Sequence, residues 1–251
     1  MAGGRGLKAR TMEDERLNIL AVDTSGPVAG CAVMRDGLIA YTAALRVGLT
    51  HSQTILPAVD AALRATGLRC EDMDVFAAVT GPGSFTGVRI GVCMVKGFAH
   101  AVNRPCCAVN ALEALAMNAV GFAGIVCPIL DARRGQVYCA AFDTSSGRPA
   151  RMLEDAALPL EAFLQALPPD APLAFLGDGA PIHGAAIRAA LGERAIVLPP
   201  NLSDLRADAA CVLAAERRED WIEPARLEPR YLRAPQAERE RAARLKKEAG
   251  A

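Results

Sequence analysis

The stretch Thr80-Gly-Pro-Gly-Ser-Phe-Thr-Gly-Val-Arg-Ile-Gly91 constrains this chain more than any other. The apolar run from Val75 to Val79 before it reads as a buried strand, and the segment after it reads as a helix. Gly81 and Gly83 bracket Pro82, so the backbone turns where no side chain would fit. Ser84 is placed as an N-cap, with helix N–H groups and the positive end of the helix dipole facing outward. Such a corner either holds an anion or is only a tight strand-to-helix turn. Gly81, Gly83 and Ser84, with Asp23 at the end of the first strand, are therefore candidate anion or nucleotide contacts. The familiar phosphate loops do not match: no Gly-Lys-Ser/Thr follows, and Gly81, Gly83 and Gly87 miss the G-x-G-x-x-G spacing by one residue.

The 251 residues suffice for one large domain or two modest ones, and 52% hydrophobic content supports a substantial core. Lys plus Arg and Asp plus Glu both count 28, which leaves none of the global basic field used by a stand-alone nucleic-acid binder. Of eight cysteines, Cys31, Cys93, Cys127, Cys139 and Cys211 sit in apolar runs, as small buried hydrophobes do. No Cys-x-x-Cys occurs, and His51, His100 and His183 lie far apart, so no metal site is expected. The N-terminus has basic residues but no apolar core of signal-peptide length, and no run is long enough to span a membrane. The expectation is a cytoplasmic protein with a disordered extension over 1–16 and a charged tail over 236–251.

Strands are expected at Asn18–Val22, Ala29–Met34 and Leu38–Ala44, the last two joined by the Arg35-Asp-Gly37 turn. Helical periodicity covers His51–Ala65, with Pro57 either kinking the helix or starting it. Thr86–Val102 reads as a helix with Gly87 and Gly91 on one face. Each costs about 1 kcal/mol against alanine unless another backbone approaches closely, and a packed helix pair would provide that approach. Ala108–Ala119 reads as a further helix. Ile125–Leu130, Asp131, a turn through Gly135 and a strand Gln136–Phe142 then echo the opening. Cys139 lies eight residues after Asp131, as Cys31 lies eight after Asp23, which points to an internal duplication. Short helices follow at Pro159–Leu167 and Ile182–Leu191, extended pieces at Leu173–Leu176 and Ala195–Leu198, and a late helix at 207–218.

Asp23 and Asp131 each end a strand, where α/β proteins place ligand-handling groups, although an aspartate there also caps turns. Asp178, between two glycines, has the same two readings. Glu113 is either catalytic or part of a half-exposed helix face. Arg89, Arg133 and Arg134 are the strongest local cations. No nucleophile elbow or metal-binding histidine pair is present.

Taken together, Ile19-Leu-Ala-Val-Asp-Thr24, His51-Ser-Gln-Thr-Ile-Leu-Pro57, the Gly81–Gly91 corner, Asp131-Ala-Arg-Arg-Gly-Gln-Val-Tyr138 and Glu228-Pro-Arg-Tyr-Leu-Arg233 resemble the TsaB (YeaZ) family. They stand in family order over about 17–235. The resemblance implies an α/β, actin-like ATPase (ASKHA, ribonuclease H-like) fold of two duplicated lobes with mixed sheets. The first lobe is expected over 17–109, joined by the helix at 207–218, and the second over 110–206. The family serves tRNA modification as an accessory subunit in making N6-threonylcarbamoyladenosine (t6A), alongside a catalytic paralogue, TsaD, and the ATPase TsaE. The catalytic paralogue carries a His-x-x-x-His metal pair, and here Ala111 and Leu115 stand at those positions around Glu113. Neither offers a lone pair. The implication is a non-catalytic chain without cofactors of its own, with metal and ATP on the partner subunits and tRNA bound through the complex.

In the family the partner docks on two helices of the first lobe, which makes His51, Ile55, Val59, Gly87, Arg89, Gly91 and Val95 the expected interface. The same face is expected to support a homodimer when the partner is absent. Three rival readings remain: an active ASKHA-type ATPase or kinase using Asp23 and the Gly81–Gly91 corner, a peptidase, and a general tRNA-binding module. Neither a lysine at the corner, a nucleophile–base pair nor a basic charge balance supports them.

Overall fold

The computed structural model describes residues 16–233; the extension and tail expected at 1–16 and 236–251 lie outside them, apart from Arg16. Two five-stranded mixed sheets form the scaffold. The first contains β1 (Ile19–Asp23), β2 (Ala29–Arg35), β3 (Leu38–Leu45), β4 (Val75–Gly81) and β5 (Cys106–Asn110), in the order β3-β2-β1-β4-β5. The second contains β6 (Ile125–Asp131), β7 (Gln136–Asp143), β8 (Ala150–Pro159), β9 (Leu173–Leu176) and β10 (Ala195–Val197), in the order β10-β9-β6-β7-β8. Each sheet is an antiparallel meander of three strands continued by two parallel strands on the other side of the first. The two topologies are the same, so β1 corresponds to β6, and Asp23 to Asp131.

The cysteine echo does not survive in detail. Cys31 pairs with Val22, one residue before Asp23, whereas Cys139 pairs with Ile129, two before Asp131. The turn after Asp131 is one residue shorter, so the register to the aspartate differs, although both cysteines lie on the helix-covered outer face of their sheets.

Helices α1 (His51–Thr66) and α2 (Phe85–Ala101) cover the outer face of the first sheet. Helices α4 (Leu160–Ala166) and α5 (Gly179–Leu191) cover the outer face of the second. Between the sheets lie α3 (Ala111–Ala116) and α7 (Ala207–Glu216), with the short α6 (Pro200–Ser203) leading into α7. The core between the lobes joins Ala21, Val79, Leu112, Leu115, Leu130, Phe142 and Leu213 into one apolar cluster. None of the helices among the described residues is long and apolar enough to cross a membrane.

Helix α1 passes through Pro57 without a break. Its start is fixed by a capping box between Thr50 and Gln53, and Ile55, Ala58, Val59 and Ala62 all pack inward on the sheet. That burial outweighs the roughly 3 kcal/mol a mid-helix proline costs. The helix expected over Ala108–Ala119 is shorter, because Cys106–Asn110 adds to the sheet as β5, parallel to β4. A short apolar run cannot be assigned to strand or helix by periodicity alone, and its parallel partner lies about thirty residues upstream. Strand β8, with a mostly half-buried edge pattern, had no matching signal in the sequence. Cys93, expected in the core, is exposed on α2.

Candidate functional site

The C-terminal ends of β1, β4, β6 and β9 converge on a cleft between the lobes. Its volume is about 940 Å³, and its lining includes Ser25, Ser84, Asp131, Asp178, Arg133 and Tyr231. Ligand sites of open α/β sheets lie at this end of the strands.

The glycine corner forms one wall, and its glycines are engaged by the chain itself. A β-carbon built at Gly83 would overlap the carbonyl oxygen of Ser25, and one at Gly87 would overlap that of Thr24. At Gly91 it would stand 2.6 Å from the Thr24 hydroxyl oxygen. The Thr24 hydroxyl donates to the Gly87 carbonyl at 2.7 Å, and the Ser84 N–H donates to the Ser25 carbonyl at 2.7 Å. Gly83, Gly87 and Gly91 thus form a track along which the turn after β1 rests. The close backbone expected against this face belongs to residues 24–25, not to a second helix. Gly81, with φ of +114°, lies under another carbonyl, that of Arg230, 2.6 Å from where its β-carbon would stand.

Ser84 does cap α2, its hydroxyl accepting from the Gly87 N–H at 3.2 Å. Two of the N–H groups expected to face an anion are therefore satisfied internally, those of Ser84 and Gly87. Asp23 is buried, and its carboxylate accepts the Ser25 N–H at 2.9 Å, as a turn-capping aspartate does. Burial pushes its carboxyl up to about 6, against the opposing pull of that N–H. An unfolded aspartate ionises near 3.8. Between about pH 4 and 6 the unfolded chain has released a proton that the folded chain still holds. Stability should fall as pH rises through that window and level off above it. Urea melts of the wild type and Asp23→Asn from pH 4 to 7 check this: the variant should lose that slope.

On the opposite wall, the Asp178 carboxylate accepts the Asp131 N–H at 2.9 Å, and Asp131 accepts the Arg133 N–H at 2.8 Å. Burial and the neighbouring Asp131 charge raise the Asp178 carboxyl above its usual range. Arg133 and Arg134 both occupy left-handed backbone in the turn before β7, and Arg133 lines the cleft. His51 reaches the cleft rim, where Nε2 lies 2.8 Å from the Gly26 carbonyl.

Glu113 is buried, not half-exposed, and accepts from both terminal guanidinium nitrogens of Arg217, Nη1 at 2.9 Å. Its carboxylate ties α3 to the end of α7, a structural role. Arg217 drew no attention in the sequence, and only its place at the end of an apolar helix hinted at a cap. Ala111 and Leu115, on the same helix, are fully buried among apolar side chains. Among the described residues, no group of three or more His, Cys, Asp or Glu is arranged to hold a metal ion.

The expected interface residues divide sharply. Ile55, Val59 and Val95 are fully buried against the first sheet, and Gly87 and Gly91 lie beneath Thr24, so none of the five presents a surface. The inward face of each helix is the apolar one, and the sheet takes it. Arg89 is exposed, but its Nε donates to the Tyr231 hydroxyl at 2.8 Å and its guanidinium stacks on Phe85. The outward face of the helix pair instead carries Leu56, half exposed at 51%, Cys93 and Gly97. A β-carbon at Gly97 would meet nothing within 4 Å.

A family model described as TsaD, tRNA N6-adenosine threonylcarbamoyltransferase, matches residues 46–240. The chain is 33% identical over 223 residues to the tRNA threonylcarbamoyladenosine biosynthesis protein TsaB of Bacillus subtilis (strain 168), covering 88% of this chain and 96% of that protein. It is 36% identical over 128 residues to TsaB of Escherichia coli (strain K12), a match spanning 50% of this chain and 55% of that one. Among solved structures, YeaZ from Pseudomonas aeruginosa superposes with a TM-score of 0.73 at 31% identity, over 86% of this chain and all of that one. With the duplicated sheet topology and the glycine corner, these matches show that the chain belongs to the TsaB (YeaZ) family.

Proposed function

We propose that this chain is the non-catalytic subunit of the machinery that makes N6-threonylcarbamoyladenosine in tRNA, holding and activating a TsaD-type paralogue in concert with a TsaE-type ATPase. The observation that carries this reading is α3. Where the resemblance places a metal-binding histidine pair, Ala111 and Leu115 fill the interlobe core with hydrocarbon. A catalytic metal would find no ligand there. Metal and ATP then belong to the partner subunits, and tRNA meets the chain through the complex.

The outward face of α1 and α2 is the docking surface in this reading. Gly97 supports it. It lies inside α2, is exposed, and has no neighbour among the described residues that requires a glycine, yet a glycine there costs about 1 kcal/mol against alanine. A closely approaching partner helix would require the missing side chain, and Leu56 supplies an exposed apolar side chain on α1. A second copy of the chain could use the same face when the paralogue is absent.

The rival ATPase reading finds less support. Gly81, Gly83 and Gly87 pack under backbone carbonyls, and the Asp23 carboxylate is occupied by its own turn.

The test is a reconstitution of TsaD-type and TsaE-type subunits from the same source with threonylcarbamoyl-adenylate and unmodified tRNA, with and without this chain. Modification should require the chain, and the chain alone should give none. Leu56→Asp should lower paralogue affinity at least tenfold by calorimetry while leaving the melting temperature of the isolated chain within a few degrees. Unchanged affinity would move the docking surface elsewhere.

A further inference from the structure

We propose that residues 228–233 form a latch that crosses the mouth of the cleft and holds the two lobes at a fixed closure. The chain reaches this point anchored to the first lobe. Ile222 pairs with Cys106 at the edge of the first sheet, and the fully buried Leu227 accepts a hydrogen bond from Lys96 Nζ at 3.2 Å.

From there the segment runs onto the glycine corner. The Arg230 N–H donates to the Thr80 carbonyl at 2.7 Å, and the Arg230 carbonyl occupies the space that the missing β-carbon of Gly81 leaves open. Tyr231 is pinned on the same lobe. Its ring stacks on Phe85 with centroids 4.6 Å apart, and its hydroxyl accepts from Arg89. Two residues later the segment touches the second lobe, where an Arg233 guanidinium N–H donates to the Ala132 carbonyl at 3.1 Å. The Arg230 guanidinium also faces Asp155 on β8 at 4.0 Å, the carboxylate that Arg151 and Asn110 hold in place.

Arg230, Tyr231, Leu232 and Arg233 all line the cleft. The segment therefore spans from the β4–α2 corner of one lobe to the β6–β7 turn of the other. Its six residues have the reach to do so. A strap bonded to both lobes opposes their separation, because opening the cleft must break the contacts at one end or stretch the segment. The contacts at the Tyr231 end are aromatic stacking and a charged hydrogen bond. Those at the Arg233 end are polar and half-buried.

Hydrogen exchange of the full chain, read by mass spectrometry, tests the latch. Tyr231→Ala should raise exchange tenfold or more both in peptides covering 82–88 and in those covering 131–136, with β1 and β6 still protected. Tyr231→Phe, which retains the stacking, should stay within about threefold of wild type. Arg233→Ala should raise exchange at 131–136. Faster exchange at 82–88 alone in Tyr231→Ala would overturn the proposal, since the segment would then be mere packing of the first lobe. No change at either edge would overturn it equally. If Tyr231→Ala loses protection throughout, Arg233→Ala decides, and exchange at 131–136 equal to wild type sinks the latch.

Discussion

Replacing Gly87 with valine should destabilise the chain by about 3 kcal/mol, the upper part of the range for overpacked sites. The added side chain would have to occupy the position of the Thr24 carbonyl oxygen, which belongs to backbone and cannot swing aside. Lifting residues 24–25 would also break the hydrogen bond from the Thr24 hydroxyl to the Gly87 carbonyl and that from the Ser84 N–H to Ser25. The effect should spread to the cleft wall, because the turn after β1 would lose its seat. Gly97→Ala is the contrasting control on the same helix. With nothing within 4 Å of its β-carbon, it should stabilise the isolated chain by about 1 kcal/mol. Urea unfolding of both variants measures the difference. Equal and small effects would mean that the track of glycines does not carry the turn.

The second large effect is expected at Arg217. Its guanidinium neutralises Glu113, a carboxylate buried between the sheets. Arg217→Ala would leave that charge uncompensated, at a cost of about 3 kcal/mol. This is the low end of the range for broken buried pairs, because the arginine side chain is itself 35% exposed and water can reach the site. Glu113→Gln in the Arg217→Ala background should recover part of the loss, since a neutral amide is far cheaper to bury than a carboxylate. Chemical denaturation of the two single variants and the double variant gives the coupling directly. A near-additive cycle would show that the two side chains do not depend on each other.

The pairing of Glu113 with Arg217 shows why this part was not legible in the sequence. The residues are 104 positions apart, and each is unremarkable in its own helix. Periodicity around Glu113 showed an apolar helix, but not that its polar residue faces inward to a cation brought by α7. Five of the seven expected interface residues are buried for a related reason. The resemblance pointed to the two helices but not to which of their faces is free, and the face bearing Ile55, Val59 and Val95 belongs to the sheet. Helical periodicity set Leu56 on one face with Val59 and Leu63, yet Leu56 is exposed and Val59 buried, because the sheet takes only part of that stripe.

Local chemistry alone determined a good deal. Strand runs ending in Asp23 and Asp131, the Asp-Gly hairpin, the Ser84 cap and the repeated order of elements all follow from turn residues and short-range periodicity, and the two matching sheets agree with them. The sequence also determined that positions 111 and 115 bear no lone pair, since that depends only on residue type. What covers each face was decided by tertiary structure. The small-residue track of α2 called for a close backbone, yet only the fold brought Thr24, 63 residues away, onto it. The fold likewise laid Arg230 over Gly81 and carried residues 228–233 from one lobe to the other. A sequence pattern records how much room a face leaves and how apolar it is; which segment fills that room depends on chain closure over many tens of residues.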